Sequence, residues 1–509
     1  MPGHPQFFDN NLCLPEISEG NLRQMLKDIR DAVVNGVKII EAGDPASGEY
    51  DGRGIFSGEL GIALAYLRLV QQTPLLADSE QALPDFQSLV SARIVKEGPY
   101  VPLRIGGLSP LPSKSPIAAV ALRILHAAST GNATSIAEND ISHLSDAIDM
   151  ALNHGPTAFY HGHNLGADEV LFGRAGLLWT LLNIRARVSG FDSTQQQLLD
   201  SVLGRIPEIV TAIIEAGKDG GSAYIEEHGA NDALPLMWPW HPGHFGIGWA
   251  HGLTGIIPIL LACRPDELRT ESHSYIDDIG GTITALCKVC IAHGGHLPTS
   301  IPPRASSLKR EQPLVQICHG APAILGLLGV ALNNTDLVVD HWTPEWDTAL
   351  HLATDRVWEE GLLFKGGGLC HGIAGNAWPF LMLHDALEYN SAVISEARAK
   401  HPESATESPL ADEFLARALA MLLHARETKP YNVSETAAYD YRLPDHPYSL
   451  FEGLAGTVCA WAEACAIISA KLRKLEVGEG FLQDEAFRGY SKQMLGFPCM
   501  GGNGATGVL

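Results

Sequence analysis

The sequence predicts an all-α protein in which an inner layer of helices sits inside an outer one, and three observations lead to that fold class. The first is a repeat. A Gly-rich turn followed by an apolar helix recurs at Ser57-Gly58-Glu59-Leu60-Gly61, Phe172-Gly173-Arg174-Ala175-Gly176 and Ala250-His251-Gly252-Leu253-Thr254-Gly255. It continues at Cys318-His319-Gly320-Ala321-Pro322-Ala323, Cys370-His371-Gly372-Ile373-Ala374-Gly375 and Phe451-Glu452-Gly453-Leu454-Ala455-Gly456, with a weaker copy at Ile105-Gly106-Gly107. That makes about seven units spaced roughly 50 to 80 residues apart, at or above the usual repeat periods. The second observation is that the helices after the turns, such as 61–69 and 176–184, are apolar nearly all round, as helices buried on every side are. The third is that the intervening stretches, such as 141–153 and 345–358, are amphipathic, while strand signals are poor.

Taken in order, these elements form one domain over residues 1–509. Glycine at a helix start lets backbones approach closely, so the turns are expected to gather at one end of the two layers. Loops are expected near 43–54, 217–243, 299–312, 401–408 and 429–447, with His401 to Glu407 a solvated insertion. A flexible tail is expected from about residue 473, glycine-rich beyond Gly496.

Composition narrows the functions. Hydrophobic residues make up 46% of the chain and charged residues 18%, which requires a large core. The net charge of −23, with no Lys/Arg cluster, argues against a nucleic-acid partner. The apolar runs 255–263 and 321–332 are too short to span a bilayer, so no transmembrane segment is expected. The first ten residues lack a basic stretch followed by an apolar one, so no secretory leader is expected. Nine scattered cysteines fit reduced thiols in the cytoplasm better than a disulfide framework.

The two Cys-His-Gly copies carry the chemistry. Each sets a thiolate donor beside an imidazole, the ligand set of zinc, although buried core cysteines would give the same pattern. Cys318 and Cys370 are the expected sulfur ligands; spacing alone leaves His319 and His371 equal as the third. Three protein ligands leave a fourth position for water or a thiol. Zinc lowers the pKa of a bound thiol, and two cysteinate ligands would keep an incoming sulfur nucleophilic. Cys287-Lys288-Val289-Cys290 has redox or zinc spacing, but it lies in a helical pattern and reads as a buried face.

Several stretches resemble the eukaryotic LanC-like proteins: Lys365-Gly-Gly-Gly-Leu-Cys370-His371-Gly-Ile-Ala-Gly375, Ile317-Cys318-His319-Gly-Ala-Pro322 and Ala250-His251-Gly-Leu-Thr-Gly255. So do Asp168-Glu-Val-Leu-Phe-Gly173-Arg174-Ala-Gly176 and Arg442-Leu443-Pro444-Asp445-His-Pro-Tyr-Ser-Leu-Phe-Glu452, all in the family's order. The resemblance implies an (α/α) toroid of seven inner and seven outer helices, with one zinc at one end held by Cys318, Cys370 and His371. Bacterial members are lanthionine cyclases; eukaryotic ones look like glutathione transferases. The function implied is zinc-dependent addition of glutathione to dehydroalanine or dehydrobutyrine residues in proteins or peptides. The alternatives are a lanthionine cyclase acting on a peptide cysteine and a non-catalytic protein that binds zinc and glutathione. An (α/α) glycosidase would need paired rim carboxylates, for which Asp168 and Glu452 are the only candidates.

Roles then follow for individual residues. Thiolate attack on a dehydroamino acid leaves an enolate, and His251 is the candidate general acid, with His319 as acid or support. Asp168 or Glu169 would orient a catalytic group, and Arg174 would neutralise the enolate or brace its turn. Lys365 and Arg442 would meet the carboxylates of glutathione and Asp445 its ammonium, with Leu443 and Pro444 shaping that turn. Glu452 is expected to bond backbone amides. One departure from the family is that residues 1–12 lack the basic residue it often has there.

Overall fold

A computed structural model describes residues 5–77, 81–130, 136–160, 163–305, 309–401, 410–434 and 439–500. Each strong Gly-rich turn starts an inner helix, and the amphipathic stretches form outer ones. Outer α1 (Glu19–Gly43) leads to inner α2 (Glu59–Leu76), outer α3 (Phe86–Arg93) to inner α4 (Ile117–Thr130), and outer α5 (Glu138–Leu152) to inner α6 (Arg174–Arg187). Outer α7 (Ser193–Leu203) and α8 (Ile206–His228) precede inner α9 (Leu253–Leu261), and outer α10 (Tyr275–Ala292) precedes inner α11 (Ala321–Asn333). Outer α12 (Thr335–His341) and α13 (Pro344–Glu360) precede inner α14 (Ile373–Tyr389). Outer α15 (Ser391–Ala399) and α16 (Ala411–His424) precede inner α17 (Leu454–Val477), and α18 (Glu485–Ser491) folds back onto α17.

Burial follows the sequence pattern. Every residue of α11 from Ala321 to Leu332 is buried, whereas α13 buries one face through Trp346, Ala349, Leu350, Ala353 and Val357. Each inner helix packs on the next, and α17 returns to α2, so the described inner helices close a ring.

The turns gather at one end and are joined edge to edge by backbone hydrogen bonds. The Cys318 amide donates to the Cys370 carbonyl (3.2 Å), Cys370 to Phe451 (2.7 Å), Phe451 to Phe56 (3.2 Å) and Phe56 to Leu111 (3.1 Å). Two glycines show how close this approach is. A Cβ on Gly248 would lie 2.1 Å from the Cys318 carbonyl oxygen, and one on Gly375 would lie 1.7 Å from that of Leu369. The short strands share this end. β1 (Thr157–Tyr160) and β2 (His163–Gly166) form a hairpin; β3 (Pro239–His241), β4 (His244–Gly246) and β5 (Ser300–Ile301) form an antiparallel sheet. In the hairpin of β6 (Val315–Gln316) and β7 (His319–Gly320), Gln316 faces His319, so Ile317 and Cys318 make its two-residue turn.

Three expectations are corrected. The loop expected from 217 to 243 begins only after His228, because α8 runs through Gly217, Gly220 and Gly221, which pack closely against Trp238, Met237 and Leu234. The chain also has a helix of bilayer length: α17 is 24 residues long and apolar, but its apolar window is wholly buried in the ring, so it is a core helix. The tail expected to be flexible from about 473 is instead packed through Met500. Leu495 and Gly496 donate their amides to the Glu463 carboxylate (3.0 and 2.7 Å), Arg68 donates to the Gly496 carbonyl, and Phe497 packs on Trp249 and Trp378. Composition misled here because buried partners, not local propensity, order this segment. Residues 402–407 of the expected insertion and residues 501–509 lie outside the described residues.

Arg68 and Glu463 are both buried and stand 3.8 Å apart. Glu463→Ala strands the arginine charge and two amides, and should cost about 3–5 kcal/mol in urea unfolding. A change of only about 0.5 kcal/mol, the range of surface substitutions, would show that this carboxylate does not hold the segment.

Candidate metal centre

Two turns supply the centre. The β6–β7 hairpin presents Cys318, and the turn before α14 presents Cys370 and His371. Their backbone bond brings the two turns into register, and one ligand atom from each of the three residues lies within 4.8 Å of the others. Tetrahedral zinc with Zn–S bonds of about 2.3 Å spaces two sulfurs about 3.8 Å apart, so the cluster suits such an ion. Geometry thus groups His371, not His319, with the cysteines.

The thiols show the same fit. Burial is the main cause that pushes the thiols of Cys263, Cys287 and Cys499 up. Burial opposes ionisation of Cys318 too, but hydrogen bonds from Cys370 and His371 outweigh it and hold the sulfur well below the usual thiol range. Cys370, hydrogen-bonded to that sulfur and buried, is held well above it. The pair therefore shares one proton, the proton a divalent cation displaces. Gln316 Nε2 donates to Cys318 Sγ (3.1 Å), and Lys365 Nζ donates to Gln316 Oε1 (3.1 Å). Sequence reading missed Gln316, because a polar residue two before a cysteine carries no signal of its own.

His251 sits beside this cluster. Its Nδ1 meets Glu169 Oε2 at 2.6 Å, and its ring is stacked with those of Trp240 (4.9 Å, interplanar 12°), His319 (5.6 Å) and Phe172 (6.0 Å). Burial pushes His251 down, but the Glu169 charge and hydrogen bond overcome it and leave the imidazole above its ordinary value. Burial pushes the Glu169 carboxyl up, against His251. Two buried partners at this distance share one proton along their hydrogen bond, and the Glu169 charge favours its place on the imidazole. His319 is the opposite case: burial, helped by the charges of His251, Arg310 and Lys365, drops it to about 4, so it is neutral. Its buried Nδ1 has no hydrogen-bond partner.

Other candidates fall elsewhere. The carboxylate that meets His251 is Glu169, not Asp168. Asp168 is buried against Arg174 (2.8 Å), and Arg174 reaches the carbonyls of Gly155 and Ala212, so this pair braces α6 against the outer layer. Sequence could not separate two adjacent carboxylates. Arg442 and Asp445 are paired with each other, not held apart for separate ligand groups. Their loop still borders Lys365: the Arg442 amide donates to Phe364 O (2.9 Å), Pro444 approaches Gly366, and Leu443 is exposed. Residues 6–8 also strap this loop, with Phe8 N on Leu362 O (2.9 Å), Phe364 N on Gln6 O (3.1 Å) and the Phe8 ring against Phe364, Tyr439 and Tyr441. Glu452 was expected to bond amides, but its Oε2 is buried without a hydrogen-bond partner, 3.8 Å from His446 Nε2. Cys287 and Cys290 are wholly buried in α10 and form part of the core.

Purified protein should carry about one zinc per chain, a three-ligand site with an open fourth position. Elemental analysis after dialysis should show this zinc lost in Cys370→Ala and kept in Cys287→Ala. Equal zinc in both variants would place the ion elsewhere.

Comparison with known proteins follows the same outline. The chain is 28% identical to the Danio rerio protein named Glutathione S-transferase LANCL1 over 310 residues, 61% of this chain and 62% of that protein. It is 29% identical to the Arabidopsis thaliana LanC-like protein GCL1 over 309 residues, 61% of this chain and 58% of that protein. The chain thus spans about three fifths of the length of these relatives. A family model for lanthionine synthetase C-like proteins matches residues 54–466, from the first Gly-rich turn into α17 and across every residue of the centre, and on that match the chain belongs to the lanthionine synthetase C-like family.

Proposed function

We propose that the protein is a zinc-dependent transferase that joins the thiol of glutathione to dehydroalanine or dehydrobutyrine residues in proteins or peptides, within the cytoplasm. The observation that carries this reading is the convergence of Cys318, Cys370 and His371 beside a histidine hydrogen-bonded to Glu169. The Danio rerio relative named a glutathione S-transferase supports the same reaction class, and all nine free cysteines suit a reducing compartment.

Zinc held by Cys318, Cys370 and His371 would lower the pKa of a thiol brought to its open position. Gln316 holds the Cys318 sulfur in place. Lys365, whose partner is a neutral amide, can turn to a glutathione carboxylate. The Arg442–Asp445 pair offers both signs to the amino-acid end of glutathione. When the sulfur bonds to the β-carbon, the alkene electron pair moves toward the α-carbon and its carbonyl as an enolate. His251, held at Nδ1 by Glu169, gives its Nε2 proton to the α-carbon and recovers one from the next thiol.

Incubation of a dehydroalanine peptide with zinc-loaded protein and glutathione should add the mass of one glutathione, and Cys370→Ala should abolish the gain. No added mass with wild-type protein would end the transferase reading.

The pH profile tests His251. The active form is the protonated one, so the rate should fall as pH rises through the His251 pKa, which Glu169 holds above its ordinary value. In Glu169→Gln the charge and hydrogen bond that most oppose burial are lost, and this basic limb should move to lower pH. An unmoved limb would remove His251 from the role.

A further inference from the structure

Residues 493–500 end against the turns that build the metal centre. Gln72 donates to the Gln493 carbonyl (2.9 Å), and Glu463 and Arg68 hold the main chain at 495–496. Beyond that anchor Phe497, Cys499 and Met500 are buried. Cys499 takes φ +61°, in the left-handed region that a residue with a Cβ rarely adopts. A backbone held there persists only where the surrounding packing over-determines it.

That packing reaches each turn of the centre. The Phe497 ring lies 5.7 Å from Trp249 (interplanar 69°), 5.3 Å from Trp378 (68°) and 6.4 Å from Phe451 (51°). Trp249 belongs to the turn that carries His251, and its neighbour Gly248 abuts the Cys318 carbonyl. Trp378 lies in α14, which follows the Cys370–His371 turn. Phe451 accepts the Cys370 amide on its carbonyl (2.7 Å), and its ring stacks with those of Phe56 (5.0 Å, 6°) and Trp249 (5.2 Å, 25°). Met500 reaches the remaining turn: a Cβ on Gly326 in α11 would lie 3.1 Å from its sulfur and 3.8 Å from Cδ1 of Ile317, the residue before Cys318.

The two tryptophans depend on these contacts. A buried indole usually anchors itself through Nε1, as Trp238 does on the Ile213 carbonyl (2.8 Å) and Trp461 on that of Leu422 (2.8 Å). Nε1 of Trp249 and of Trp378 is buried with no hydrogen-bond partner among the described residues. Their orientation is therefore left to packing, and Phe497 packs on both.

We infer that residues 493–500 form the floor of the metal centre, and that Phe497 is a positioning residue which holds the Cys318 and Cys370 turns at the spacing a metal ion needs. Phe497 touches no ligand. It acts through Trp378 and Phe451 on the Cys370 turn and through Trp249 on the turn against Cys318. Support around metal ligands governs how tightly a site binds, because it sets how far the ligands are organised before the ion arrives. The coupling runs both ways: if the seated segment favours the metal, the metal favours the seated segment by the same factor. This inference rests on the metal-centre reading and is independent of whether the protein transfers glutathione.

Zinc affinity of the full chain, measured by competition with a chromophoric chelator, tests this. Phe497→Ala should weaken zinc by about tenfold or more. Phe497→Leu, which refills most of the space, should recover much of the loss. Leu199→Ala removes a fully buried side chain from outer α7, away from the centre, and lowers stability in a comparable way. It should bind zinc as wild type does, which separates positioning from general destabilisation. A second measurement needs no variant and keeps the test open should Phe497→Ala not fold. In wild type, hydrogen exchange at the Leu495 and Gly496 amides should slow when zinc is added. Unchanged zinc affinity in Phe497→Ala, an equal loss in Leu199→Ala, or exchange at 495–496 indifferent to zinc overturns the inference. The readings fail separately. A wild-type chain that binds no zinc sinks the metal centre and this inference together, whereas zinc bound equally by wild type and Phe497→Ala sinks this one alone.

Discussion

One backbone hydrogen bond, from the Cys318 amide to the Cys370 carbonyl, sets the geometry of the centre. The two cysteines are some fifty residues apart in sequence, on the turns before successive inner helices, a separation near common repeat periods. They meet because the inner helices close a ring and their leading turns dock edge to edge. The same docking continues from Cys370 to Phe451, Phe56 and Leu111, so the two cysteine turns are links of a longer chain of paired turns. That pairing fixes the relative placement of the two cysteine main chains. Gln316 adds the remaining restraint from its place in the strand beside Cys318.

Around that scaffold, charge is sorted with care. The protein is strongly acidic overall, yet the two adjacent buried carboxylates beside the centre are matched: Glu169 to His251 and Asp168 to Arg174. The first match keeps a proton available and the second holds helix to helix. Adjacent residues of one turn thus take opposite tasks, because one side chain reaches the next inner turn and its neighbour reaches outward.

The repeat made the layered fold legible, since glycine turns and all-round apolar helices leave strong marks in a sequence. The cysteines were legible for the same reason: they occupy equivalent positions in two copies. What the sequence hid depends on partners far away along the chain. Glu169 and Asp168 are neighbours with the same chemistry, and only the folded backbone shows which reaches His251. Trp240 reads as one more aromatic in a loop, and its stack with His251 exists only after the β3–β4 hairpin folds over the turn. Residues 493–500 look irregular by composition, but Arg68, Gln72 and Glu463 hold them inside the ring. Residues 6–8 gave no signal because their part in the site is made by backbone pairing with 362–364.

The contacts at Gly248 and Gly375 make these positions unusual for mutagenesis. Neither offers a side chain to remove, so a scan that trims residues to alanine would register an enlargement there, not a deletion. A single methyl at Gly248 would press on the carbonyl of Cys318, in the candidate metal centre and on a different repeat. Variation at such sites would look remote from the chemistry on any map of side-chain contacts, and yet would act on it directly through the main chain.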